Sequence, residues 1–127
     1  MITKHYLQGY EEFSKFFSGE FDSNDQIVFV YFTGSKLPSG ESWCPDCVKA
    51  WPVVEKELEK FPENCHFIVV EVGDRPTWKD PNCPFRKDPR TKLMVIPTLK
   101  RWNTHQKLEG DQCEKSDLLE LIFGSEE

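Results

Sequence analysis

The alternation of apolar and polar positions divides the chain into a short series of elements. In GYEEFSKFFSG, residues 9–19, apolar side chains stand at Tyr10, Phe13, Phe16 and Phe17, a spacing that predicts a helix ended by Gly19. QIVFVYF, 26–32, is instead a continuous β-branched and aromatic run bounded by DSND and TGS, as suits a strand buried on both faces. The polar stretch TGSKLPSGES predicts an irregular loop. From Pro45 the apolar positions Val48, Trp51, Val54 and Leu58 predict a helix to about Lys60, with Pro52 removing one backbone donor and kinking it.

CHFIVVEV, 65–72, reads as a second buried strand. The four prolines of GDRPTWKDPNCPFRKDPR, 73–90, predict a long loop with one or two short helical turns. LMVIPTLKRW, 93–102, reads as a strand interrupted by Pro97, and HQKLEG as its partner across a turn at Asn103–Thr104. A helix over 114–123, ending at Gly124, closes the chain, and a short strand is allowed at 5–8. Strand–helix–strand followed by a hairpin and helix predicts a three-layer α/β fold with a mixed central sheet. The length of 127 residues suits a single domain over 1–127.

Charge narrows the function. With 22 acidic against 16 basic residues, net −6, and no basic stripe, nucleic acid is not an expected partner. No apolar run approaches the roughly 20 residues that span a bilayer, so no membrane partner is expected. The opening MITKHYLQGYEEF lacks a secretory h-region, and a soluble, cytoplasmic protein is the expectation.

Five cysteines stand at 44, 47, 65, 83 and 113. Cys44 and Cys47 are three apart at the start of the third predicted element, with Pro45 and Asp46 between them. Pro45 suits the first helical position, which puts Cys44 at the N-cap and Cys47 in the first turn. Residues so placed have β-carbons roughly 5–6 Å apart, close to disulfide geometry. The helix N-terminus favours the Cys44 thiolate by about 0.3–1 kcal/mol, while an ionised Asp46 opposes it. Lowering a thiol from about 8.5 to about 7 raises the thiolate fraction at pH 7 roughly 16-fold and lowers nucleophilicity about 5-fold, a net gain of about threefold. A redox couple, a zinc site and two inert core thiols are the three readings open. His5, His66 and His105 are scattered and there is no second CxxC, so no metal site is expected and the redox reading leads.

WCPDC at 43–47, Pro52 in the following helix and VIPTL at 95–99 resemble the thioredoxin superfamily. With YFTGSK, VGDRPTWKDPN and FRKD added, the chain is similar over nearly its whole length to one cytosolic branch of that superfamily. The resemblance implies a thioredoxin-like three-layer fold with extended loops near the active site. It also implies a disulfide reductase with Cys44 as nucleophile and Cys47 as resolving thiol. Trp43 is expected to line the substrate surface, Pro97 to be cis, and the Ile96 backbone to pair with substrate. Electrons would come from NADPH through thioredoxin reductase, with no bound cofactor, and reach small-molecule or exposed protein disulfides; a monomer is expected.

One departure matters. Thioredoxins carry a buried acid that helps deprotonate the second cysteine, and Tyr31 matches its position. Asp46, or Glu41 through a water, is then the candidate proton acceptor for Cys47. The alternative function is a redox-sensitive adaptor that holds a signalling partner on the same fold.

Overall fold

Strand β2, Val28–Thr33, organises the molecule because both of its faces are covered. In this computed structural model, which describes residues 1–124, Val28, Val30 and Phe32 point to one side and Phe29 and Tyr31 to the other. The two-residue period of a strand therefore divides one apolar run between two cores. Helix α1, Gly9–Ser18, covers the first face with Phe13, and helix α2, Pro45–Leu58, covers the second with Ala50, Val54 and Leu58.

Strand β3, Cys65–Glu71, divides its side chains in the same way and pairs in parallel with β2, as a strand–helix–strand crossover requires. The 73–90 segment carries two short helices, α3 at Arg75–Lys79 and α4 at Pro84–Lys87. Their Trp78 and Phe85 pack into the α1-side core. Strands β4, Thr98–Arg101, and β5, Lys107–Glu109, form the hairpin, and β4 runs antiparallel to β2. Its turn places Asn103 at φ 66°, a left-handed position that asparagine tolerates. A 3-10 turn at Gly110–Glu114 leads into α5, Ser116–Gly124.

Several boundaries differ from the pattern-based expectation: β2 starts at Val28 and not 26, and α2 ends at Leu58 and not about 60. Strand β1 spans Ile2–Gln8, not 5–8 alone, and joins β3 in parallel at the sheet edge, giving the order β1-β3-β2-β4-β5. An edge strand keeps polar residues such as Lys4 and leaves Tyr6 exposed, so its period is faint. The β4 ladder starts only at Thr98, because Pro97 has no N–H to donate and the chain before it turns away. Residues 110–114 form a 3-10 turn, so the last helix starts at Ser116 and not 114. Helix α2 runs through Pro52 without interruption.

Candidate active site

Helix α2 begins where β2 and its following loop deliver Cys44 to the end of the sheet. Cys44 has extended backbone angles and is the N-cap, and Pro45 occupies the first helical turn. The Cys47 backbone N–H donates to Cys44 Sγ at 3.2 Å, so a sulfur takes the role usually filled by a capping oxygen. The Ser42 hydroxyl accepts the Cys44 N–H at 3.1 Å and fixes the approach to the cap. Both thiols are free, with Cys44 5% and Cys47 1% exposed.

The two sulfurs sit in opposite electrostatic states. A hydrogen bond from the Cys47 thiol is the largest influence on Cys44 and helps hold it at about 7, below its ordinary 9.0. Burial and the Asp46 carboxylate push the other way, while the Cys47 and Asp46 backbone N–H groups assist the lowering. The same hydrogen bond, followed by burial, drives the Cys47 thiol well above its ordinary value, against the Thr33 hydroxyl and the Gly34 backbone. At neutral pH one thiol is poised as nucleophile and the other retains its proton. This is the division of labour a two-step disulfide exchange needs.

Loops complete the surroundings. Trp43 Nε1 donates to the Gly73 carbonyl at 2.8 Å, and Gly73 N–H donates to Ser35 Oγ at 3.0 Å. The loop between β2 and α2 is more ordered than its composition suggests, with a bridge between Lys36 and Ser42. A Cβ on Gly34 would lie 2.9 Å from the Trp43 ring and 2.8 Å from Ser42 Oγ, so this position has room for glycine alone.

The Ile96–Pro97 bond is cis, and the Ile96 carbonyl oxygen stands 3.9 Å from Cys44 Sγ. Trp43, Cys44, Pro45, Asp46 and Ile96 thus meet around one groove of about 300 Å³. Pro97 is its neighbour through the cis bond. Cys47 lies behind, lining a separate cleft of about 400 Å³ with Tyr31, Thr33 and Glu41. Asp46 is therefore on the Cys44 side and Glu41 on the Cys47 side.

Arg75, Lys79 and Arg86 also line the front groove, together with Trp78 and the 73% exposed Met94. Arg86 is held in place: its guanidinium lies 3.8 Å over the Trp78 ring and its Nε donates to the Trp78 carbonyl at 2.9 Å. The long-loop reading of 73–90 did not show that Arg75, Trp78, Lys79, Arg86 and Met94 reach this groove, because their approach depends on how 73–95 folds back. Asp88 fixes that fold. It accepts from Tyr10 Oη at 2.7 Å and from Arg90 Nη2 at 2.7 Å, and its carboxyl is held at about 2, chiefly by Arg90 and then by Tyr10.

Two further features concern buried polar and thiol groups elsewhere in the cores. The Tyr31 hydroxyl is buried with no hydrogen-bond partner among the described residues. Leaving such a group unpaired costs about 1–3 kcal/mol. Cys65, Cys83 and Cys113 are each buried in core positions, and burial is the main cause pushing Cys113 up to about 12. Among the described residues no group of three or more His, Cys, Asp or Glu side chains is arranged to hold a metal ion, and no helix is long and apolar enough to cross a membrane.

Comparison with known proteins agrees with this geometry. Residues 6–125 match the family model described as thioredoxin domain-containing protein 17-like, thioredoxin domain. The chain is 50% identical over 117 residues to thioredoxin domain-containing protein 17 of Danio rerio, covering 92% of this chain and 91% of that one. It is 43% identical over 120 residues to the protein of the same name from Homo sapiens, covering 94% of each. The solution structure of oxidised thioredoxin from Plasmodium falciparum superposes with a TM-score of 0.55 over 96% of each chain. At 14% identity, that likeness shows a shared thioredoxin fold.

Proposed function

Because the chain belongs to the thioredoxin domain-containing protein 17-like family, we propose that it is a dithiol–disulfide reductase working through Cys44 and Cys47. The observation that carries the proposal is the opposed state of the two thiols, Cys44 held at about 7 and Cys47 kept protonated by one shared hydrogen bond. The Cys44 thiolate attacks one sulfur of a substrate disulfide, forming a mixed disulfide and releasing the other substrate sulfur as a thiolate. Cys47 then loses its proton and attacks Cys44 Sγ. The Cys44–Cys47 bond forms, the bond to substrate breaks, and the second substrate sulfur leaves reduced.

Two electrons pass from the enzyme dithiol to the substrate at each turnover. They are restored from NADPH through thioredoxin reductase, with no cofactor bound to the chain. The front groove suits small disulfides and exposed protein disulfides. Arg75, Lys79 and Arg86 can meet substrate carboxylates, while the loops joined at Gly73 restrict close approach of a large folded surface. Cystine, which carries two carboxylates, is a fitting small substrate.

The test is NADPH consumption in the presence of thioredoxin reductase, comparing cystine with insulin. Fast turnover of cystine and slow turnover of insulin is expected. Turnover of neither would overturn the reductase reading and leave the fold as a binding scaffold.

A further inference from the structure

Resolution of the mixed disulfide requires the Cys47 thiol to lose a proton. In the reduced protein that thiol points its hydrogen bond at Cys44, but Cys44 stops being a thiolate once it is bonded to substrate. Asp46 lies along the front groove, away from the cleft that Cys47 lines. The route must lead backwards from Cys47.

Behind Cys47 is the cleft of about 400 Å³, room for several waters at about 30 Å³ each. Tyr31 lines it and is 1% exposed, and its hydroxyl is the unpartnered buried group. Its ring packs against Trp51 at 5.4 Å, which leaves the hydroxyl as the only polar part of the side chain. The charges that act on it are those of Cys47 in α2, Cys113 and Glu114 in the 3-10 turn, and the N-cap Cys44. Lys36, Glu41, Glu55 and Glu71 complete the charged lining of the cleft. A buried hydroxyl beside a roomy polar cleft is a place where ordered water is held.

We propose that Tyr31 is a positioning residue for the resolving step: its hydroxyl anchors the cleft water that takes the Cys47 proton and passes it towards Glu41, Glu55 and Glu71. The balance is simple. Cys47 gives one proton to water, its thiolate displaces the substrate sulfur from Cys44, and the proton ends on one of the cleft carboxylates. Tyr31 stays neutral throughout, since burial, followed by the charges of Cys47 and Cys113, drives its ionisation out of reach. The Thr33 hydroxyl and Gly34 backbone stabilise the forming Cys47 thiolate.

This rests on the disulfide-reductase reading, and the experiment separates the two. Reduced protein is mixed in stopped flow with excess dithiobis(nitrobenzoate). The first thionitrobenzoate reports attack by Cys44, and the second reports resolution by Cys47. Tyr31→Phe keeps the ring and removes the hydroxyl. It is expected to leave the first phase unchanged and slow the second roughly tenfold or more near neutral pH, with the difference vanishing in alkali where hydroxide removes the proton. A second phase at the wild-type rate at every pH overturns the proposal, whereas absence of both phases from the wild type overturns the reductase reading. Should Tyr31→Phe fail to fold, the combined Glu41→Gln, Glu55→Gln, Glu71→Gln protein tests the far end of the route. A slowed second phase is expected there, and an unchanged one refutes it.

Discussion

Replacing Cys47 by alanine removes the S–H that donates to Cys44 Sγ, while the backbone N–H of residue 47 remains to cap it at 3.2 Å. A hydrogen bond to a charged group contributes about 1.5–3 kcal/mol, which is about one to two pKa units at about 1.36 kcal/mol each. The Cys44 thiol, at about 7 in the intact couple, should therefore move to between about 8 and 9.

At pH 7 its thiolate fraction falls from about one half to between about 1% and 10%. The remaining thiolate is about 3–8-fold more nucleophilic, because reactivity rises with basicity. Attack on a small disulfide should be about 2–6-fold slower than wild type at pH 7, and about 3–8-fold faster in strong alkali. The two pH–rate curves cross.

The assay is the rate at which glutathione disulfide consumes the reduced protein from pH 5 to 10, measured by mass spectrometry of acid-quenched samples, with the midpoint checked by iodoacetamide alkylation. An unmoved midpoint, or curves that never cross, would refute the assignment of the Cys47 thiol as the chief support of the Cys44 thiolate.

Two further predictions concern charge. Asp46→Asn removes a carboxylate that raises the Cys44 pKa, so the alkylation midpoint should fall, by about a few tenths of a unit, and the difference should shrink as salt screens the exposed charge. Asp88→Asn breaks the contacts to Arg90 and Tyr10. The Asp88 carboxyl is held at about 2 against an ordinary 3.8, so its stabilisation is complete above the unfolded value and is lost as pH falls through the folded one. Urea unfolding should show the variant destabilised by roughly 2 kcal/mol at pH 7, with the gap closing between about pH 4 and 2. A gap that does not depend on pH would contradict the ion pair as its source.

The elements that build the scaffold were legible because each carries an uninterrupted period. The 26–32 run suited a strand covered on both sides, and β2 spans Val28–Thr33, while α1 is bounded at Gly19 as its pattern implies. The Cys44 cap was also legible, since Pro45 allows only a narrow set of backbone positions. What local pattern does not encode is the meeting of distant segments. Arg86 reaches the groove through its stack on Trp78 and the Asp88 anchor on Tyr10, 78 positions away along the chain. Tyr31 could be aligned with the missing acid from sequence, but its lack of a hydrogen-bond partner depends on α2, the 3-10 turn and the cleft together. β1 was half hidden because edge strands expose polar side chains that blur the alternation.

The central claim is that Cys44 attacks and Cys47 resolves, and one measurement addresses it directly. The Cys47→Ser protein, reduced and then exposed to cystine, is digested and its cysteines are mapped by mass spectrometry. The structure predicts a stable half-cystine adduct on Cys44 alone, with the wild type passing through to a Cys44–Cys47 disulfide. An adduct spread over Cys65, Cys83 and Cys113, or one of equal yield in a Cys44→Ser protein, would contradict it.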